Sequence, residues 1–286
     1  VKIVEITYRY GGRDASVRAR PADADSARDR LDKGSRTTAA LLESLGEGTG
    51  TAQRVIAVDP SDLGLVAGAP KQRPYAAVLG CSDARVPIEL IFNEGPNDLF
   101  VVRVAGNGLG ADVLGSLKYA VEHLGESMKL IVVLGHSGCG AVSAAVDVFL
   151  NPQAYLSLAA KHSLRNILDR LQVVVQAAAK RMAAIFGSDV ARRRGYREAL
   201  IEAAVVSNAA LTAYTIQQEI GSLDPRDLRT AYGVYLLAAR QIWAPRSGTL
   251  ECIGLAYPPS DLEAFADFAD AVVRSERIAS LVERGA

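Results

Sequence analysis

Four short, nearly uninterrupted apolar runs mark the middle and late parts of the chain: residues 75–80 (YAAVLG), 98–106 (DLFVVRVAG), 129–135 (KLIVVLG) and 230–238 (TAYGVYLLA). Runs of this length, rich in β-branched residues and ending at glycine or a polar residue, are expected of strands buried on both faces of a parallel sheet. Between them lie segments with helical spacing, PIELIFN (87–93), VLGSLKYAVEHLG (113–125) and a long stretch from 141 to 220. Strand alternating with helix predicts an α/β fold: a central, mainly parallel β-sheet flanked by helices and joined by right-handed crossovers. The N-terminus reads differently. KIVEITYRY (2–10) alternates apolar and polar residues, a Gly-Gly pair follows, and RDASVRARP (13–21) alternates again, which predicts a β-hairpin. Residues 22–46 predict a helix, or a helix pair interrupted at Gly34, and 47–73 an irregular arm rich in Gly, Thr and Asp. The pattern divides the chain into an N-terminal hairpin and helical arm, 1–70, and an α/β domain, 71–286, with a helical insertion at about 145–195.

Composition narrows the class. With 286 residues, 49% of them hydrophobic, the chain is large enough for one large or two small globular domains. Lys and Arg balance Asp and Glu at 32 each, so the global basic excess of many nucleic-acid binders is missing. No apolar run approaches the ~18 residues of a membrane helix, and the first residues lack the apolar block of a secretory signal. A cytoplasmic protein with neither nucleic acid nor membrane as partner is the expectation. Three cysteines, Cys81, Cys139 and Cys252, are too few and too scattered for a disulfide framework, which favours free or metal-bound thiols.

Ligands of open α/β sheets bind beyond the carboxyl ends of the strands, and two predicted strands deliver cysteines there. Cys81 follows AAVLG, and GHSGCG (135–140) follows KLIVV with His136 and Cys139 spaced as His-x-x-Cys. Zinc takes thiolate and imidazole ligands, and a set of three leaves a fourth position for water or substrate. Gly135, Gly138 and Gly140 would let the backbone turn around such an ion and present N–H groups to it. A buried core thiol or a redox thiol in a glycine-rich loop is the competing interpretation. Asp83 and Arg85 stand at two and four residues past Cys81, so a guanidinium can hold a carboxylate beside the same site. That carboxylate could accept a proton at the fourth position or ligate the metal itself; a simple surface ion pair is the alternative.

In order along the chain, CSDARVPIELIF, DLFVVRVAGN, GSLKYAV and GHSGCGAV resemble the β-class carbonic anhydrases. The likeness runs from about Gln72 to Val146 and continues more weakly through ALIEAAVVSNAALTAY and TAYGVYLLA. The resemblance implies one Zn2+ per chain and reversible hydration of carbon dioxide to bicarbonate and a proton by a zinc-bound hydroxide. It implies Cys81, His136 and Cys139 as ligands, with Asp83 and Arg85 as the dyad beside them. It further implies Gln72 as a hydrogen-bond donor to substrate, Gly140 as a backbone contact, and Phe100 and Tyr119 lining an apolar cleft. The family works as a homodimer or an assembly of dimers, with clefts at the subunit interface. Members whose Asp closes the site carry Trp where this chain has Val78, so the open form is expected. Ala84 and Val104 depart from the family's common Ser and Asn.

Other interpretations remain. Gly106-x-Gly108-x-x-Ala111 fits a dinucleotide fingerprint locally, but His136 lies at the end of the next strand where a ribose-binding acid is required. A carbonyl sulfide or carbon disulfide hydrolase would use the same site, and a non-catalytic, zinc-stabilised regulatory module would use the same ligands. The insertion carries a basic bias from Lys161 to Arg197, which reads as a solvated face or subunit contact rather than a site for an acidic partner. His123 and His162 read as ordinary helix residues, His123 being a minor candidate for proton shuttling, and Cys252 as a buried strand-end thiol.

Overall fold

The computed structural model describes residues 2–10, 19–46, 49–64, 68–153, 162–221, 228–246 and 253–283. Its strands are β1 (Lys2–Tyr10), β2 (Gly50–Val58), β3 (Ala76–Gly80), β4 (Leu99–Arg103), β5 (Leu130–His136), β6 (Arg229–Leu236) and β7 (Gln241–Trp243). The helices are α1 (Ala24–Glu43), α2 (Ile88–Phe92), α3 (Ala111–Leu124), α4 (Gly140–Leu150), α5 (His162–Phe186), α6 (Tyr196–Gly221), α7 (Leu262–Arg274) and α8 (Glu276–Glu283). Five strands form the central sheet in the order β4-β3-β5-β6-β7, all parallel except β7. The four apolar runs of the sequence are its four parallel strands.

Successive strand residues face opposite sides, and both sides are covered. Ala77, Leu79, Ile131 and Val133 face the core built with α3, α4, α5 and α6, while Ala76, Val78, Leu130, Val132 and Leu134 face α1 and α2. This double burial accounts for the absence of alternation in the runs. Helix α6 has the length and composition of a membrane span; its apolar window is 78% buried within this fold, which makes it the central core helix. The helical insertion is anchored in the same core, since α5 buries Leu168, Leu171, Val175 and Met182.

Two N-terminal expectations are corrected, the irregular arm and the break at Gly34. Strand β1 pairs in parallel with β2, in register from Lys2↔Gly50 to Tyr10↔Val58. Residues 11–18, most of the expected second arm, lie outside the described residues, as does Cys252. The segment expected to be an irregular arm therefore contains β2, followed by a short 3-10 turn at Pro60–Leu63. Gly34 does not interrupt α1, which starts on a capping box between Asp23 and Ser26 and runs unbroken. Instead, a Cβ at Gly34 would lie 1.9 Å from the Phe92 carbonyl oxygen, so glycine is needed there for the close crossing of α2.

Candidate metal centre

The sheet order places the centre. The chain leaves β3 for β4 on one side and returns to β5 on the other, and ligands of open sheets sit at the carboxyl end of such a reversal. Strands β3 and β5 are in parallel register with Gly80 opposite Leu134. Cys81, the next residue after β3, is therefore carried level with the end of β5, where His136 is the last residue. Cys139 follows as the N-cap of α4 and Gly140 is that helix's first residue. One ligand atom from each of Cys81, His136 and Cys139 lies within 4.8 Å of the others, and all three residues are buried.

The trio's chemistry fits a metal. His136 Nδ1 lies 3.1 Å from the Ser137 carbonyl oxygen, which fixes the proton on that nitrogen. Nε2 is then a bare lone pair, fully buried with no hydrogen-bond partner among the described residues, a costly arrangement unless something accepts it. The Cys81 thiol is held well below its ordinary range, first by a hydrogen bond from Cys139, with help from the Gly106 amide, whose nitrogen is 3.4 Å from Sγ. Cys139 is held above its own range by that shared hydrogen bond and by burial, although the Val142 and Ala141 amides at the start of α4 oppose this. Two buried sulfurs beside a buried imidazole nitrogen are a donor set suited to zinc, whose binding releases thiol protons.

Asp83 and Arg85 lie in the β3–α2 loop. Asp83 Oδ1 accepts from the Arg85 amide at 2.9 Å and Nε at 3.0 Å, and Oδ2 accepts from Nη2 at 2.6 Å. The Arg85 guanidinium is the main reason that the Asp83 carboxyl sits far below the usual carboxylate range. Oδ2 is 3.8 Å from His136 Nε2, so the carboxylate borders the unpaired nitrogen.

The remaining predicted residues are placed elsewhere in the single chain. Gln72 is exposed in the segment before β3. Phe100 is half-buried on β4 opposite Ala77, three residues short of the strand end and so roughly 10 Å back from it at ~3.3 Å per residue. Tyr119 is exposed on α3, its ring stacked on His123 at 4.4 Å.

Several residues that sequence reasoning missed support the site. Arg103, at the end of β4, donates from Nε to the Cys81 carbonyl at 2.9 Å and from Nη2 to the Asp83 carbonyl at 2.6 Å. Asn208 on α6 donates to the Gly106 carbonyl at 3.0 Å, steadying the residue whose amide meets Cys81. Glu202, also on α6, accepts from the Gly138 amide at 3.0 Å, between His136 and Cys139. The readable signal was a charge and an amide set in an otherwise apolar helix, IEAAVVSNAA.

Comparison with known proteins points the same way. A family profile described as carbonic anhydrase matches residues 76–221, just over half of the chain. Carbonic anhydrase 2 of Mycobacterium tuberculosis is 53% identical over 83 residues, 29% of this chain and 38% of that protein. A carbonic anhydrase of Pseudomonas aeruginosa is 46% identical over 82 residues, 27% of this chain and 36% of that protein. These matches thus span little more than a third of each relative's length. Among solved structures, the β-carbonic anhydrase CcaA is 26% identical, covering 65% of this chain and 85% of that one with a TM-score of 0.47.

Proposed function

Because this chain belongs to the β-class carbonic anhydrases, we propose that it catalyses the reversible hydration of carbon dioxide at a zinc ion held by Cys81, His136 and Cys139. The observation that carries this reading is the buried Nε2 of His136, without a hydrogen-bond partner among the described residues, within 4.8 Å of both sulfurs and bordered by an ionised Asp83. When bound, zinc supplies a Lewis acid that activates water as a nucleophile at accessible pH.

The chain's own residues supply positioning and charge. The Ser137 carbonyl keeps the imidazole in the tautomer that presents Nε2. The amide of Gly106 donates to Cys81 and the start of α4 faces Cys139, so both thiolates are stabilised without losing their buried positions. Asp83 is an acceptor that stays ionised, so it can accept a hydrogen bond from an incoming water and aim the oxygen at substrate. Both of its oxygens are engaged by Arg85, so ligation by Asp83 would require breaking that pair; this supports the open form of the site. Gly140 would offer its backbone at the start of α4. Gln72, Phe100 and Tyr119 would act in a cleft completed by a second subunit, in keeping with the exposure of Gln72 and Tyr119 on the single chain.

Two thiolates and one neutral imidazole cancel the charge of Zn2+. A formally neutral centre withdraws less electron density than one with three imidazoles, so activity should rise toward alkaline pH. The test is stopped-flow hydration of carbon dioxide by zinc-loaded protein between about pH 6.5 and 9, a window chosen around the value of about 7 for tris-imidazole zinc. A rate well above buffer that increases with pH is expected. No rate over buffer at full zinc occupancy would remove the proposal.

A further inference from the structure

Four backbone links hold the loop between His136 and Cys139. The Ser137 amide donates to the Tyr235 carbonyl at 3.0 Å, and the Leu237 amide donates to Ser137 Oγ at 3.0 Å, so Ser137 is tied to β6 and to the residue after it. The Ser143 amide donates to the Cys139 carbonyl at 2.8 Å. Gly138 has φ of 62°, the left-handed conformation that glycine adopts without strain, and its amide is held by a side chain, Oε1 of Glu202 at 3.0 Å. The other oxygen of that carboxylate accepts from Arg277 Nε at 2.9 Å and Nη2 at 2.6 Å. Arg277 belongs to α8, close to the C-terminus, and its guanidinium also lies 5.9 Å from the centre of the Trp243 ring.

The side chain of Glu202 is only 11% exposed and that of Arg277 34%. A carboxylate this buried on an apolar core helix is costly, and the cost is offset only when its partners are in place. All of those partners lead toward one loop: the acid touches the glycine between two ligands on one side and the C-terminal helix on the other. We infer that Glu202 is a positioning residue of the metal centre, fixing the His136–Cys139 loop through the Gly138 amide, and that Arg277 of α8 holds it in place. The inference rests on the zinc reading of the trio. It makes the C-terminal helix part of the support for a centre formed by residues 81–139.

The experiment compares zinc dissociation constants, from competition with a chromophoric chelator, and the absorption of the Co(II)-substituted proteins for wild type, Glu202→Ala, Glu202→Gln and the double variant E202M/R277M. Loss of a group that orients a metal ligand typically weakens metal binding about tenfold to a hundredfold, which is expected for Glu202→Ala together with an altered Co(II) spectrum. Glu202→Gln keeps an oxygen that can accept the Gly138 N–H and should retain both the affinity and the spectrum. The double variant replaces the ion pair with apolar residues of similar length, a change that buried pairs often tolerate. It should fold and bind zinc as weakly as Glu202→Ala, and it decides the matter if the single alanine variant does not fold.

Wild-type affinity and spectrum in the folded alanine or double variant would overturn the positioning role, as would a glutamine variant as weak as alanine. Wild-type protein that binds no zinc would remove both this inference and the reading on which it rests. Tight zinc binding without hydration of carbon dioxide would remove the proposed reaction alone, leaving the role of Glu202 to be decided by the affinities.

Discussion

The packing of α8 can be tested by a single methyl group. Gly195 immediately precedes α6, and a Cβ added there would lie 1.9 Å from the Leu281 carbonyl oxygen and 2.9 Å from its carbon. Carbon contacts are comfortable from about 3.5 Å, so Gly195→Ala forces the start of α6 and α8 apart by about 1.5 Å. Helix α8 is anchored by Ile278 and Val282, both fully buried. Releasing both would cost about 3–6 kcal/mol, at ~1.5–3 kcal/mol for each side chain, whereas a strained shift costs about 1–3 kcal/mol. Against this, alanine lowers the entropy of the unfolded chain, a gain of about 0.4–1 kcal/mol. The chain takes the cheaper route, the strained shift, and a net loss of about 0.5–2.5 kcal/mol follows, or about 1–5 °C in Tm for a chain of this size. Gly115 is the matched control, because it is exposed within α3 and its added Cβ would meet nothing within 4 Å. Gly115→Ala should therefore stabilise by about 0.5–1 kcal/mol through helix propensity. Urea unfolding of the metal-free proteins followed by circular dichroism, with amide exchange across 276–283, measures both. A Gly195→Ala protein as stable as wild type, with α8 equally protected, would refute the packing argument.

Other perturbations separate the centre from its surroundings. Asp83→Asn keeps an oxygen for the Arg85 amide and leaves the three ligands untouched, so zinc content should be normal while the hydration rate falls by about 10²–10⁴, the usual worth of a positioned proton acceptor; an unchanged rate at full zinc would sink the dyad. Cys139→Ser should lose zinc on dialysis against a weak chelator that leaves wild type loaded, and equal retention would contradict its place among the ligands. Since the folded Asp83 carboxyl is depressed, its ion pair stabilises above the unfolded value of about 3.9 and is lost as pH falls below it. Its titration should therefore leave no inflection in the rate profile above about pH 5, and one assigned to Asp83 by its loss in Asp83→Asn would contradict this. Asp32 has the opposite sign, because burial raises it to about 6 although the Leu255 amide donates to it. Its contribution is fully present below about pH 3.9 and lost as pH rises through 6, so Asp32→Asn should stabilise at pH 7 by about 1–2 kcal/mol and hardly at all at pH 4. A stability difference between the two proteins that does not grow from pH 4 to 7 would contradict this assignment.

Legibility in the sequence followed the range of the interactions. The parallel strands could be read because burial on both faces writes itself as a continuous apolar run, and the clustering of Cys81, His136 and Cys139 because they stand at the ends of two such runs. Strand β2 was missed because GTAQRVIAV is only partly buried and its partner lies 48 residues earlier in register. Gly34 was read as a break because its reason is tertiary: the carbonyl of Phe92 lies where its Cβ would be. Glu202 and Arg277 were passed over since their contacts are 64 and 75 residues apart in sequence. Only the isolated acid in an apolar helix hinted at them.

Helix α6 explains why the two ligand loops hold a common geometry. Its apolar surface packs into the core through Ala203, Val206, Ala209 and Ala210, all fully buried, so its position is set by close packing rather than by the loops. From that fixed frame Glu202 reaches the Gly138 amide and Asn208 reaches the Gly106 carbonyl, about 9 Å apart along the helix at ~1.5 Å per residue. One polar residue thus secures the loop carrying Cys139, and the other secures the amide that donates to Cys81. Arg103 completes the second clamp from β4 by binding the carbonyls of Cys81 and Asp83. A small shift of α6 against the sheet would displace both clamps at once and so disturb the spacing of the sulfurs, because Cys81 and His136 stand at strand ends that the sheet holds in place. Ala209→Val, which overpacks a buried position between core side chains and touches none of the ligands, should therefore weaken zinc binding beyond its effect on folding. Zinc affinity identical to wild type in the folded variant would show that the loops hold the centre without the helix.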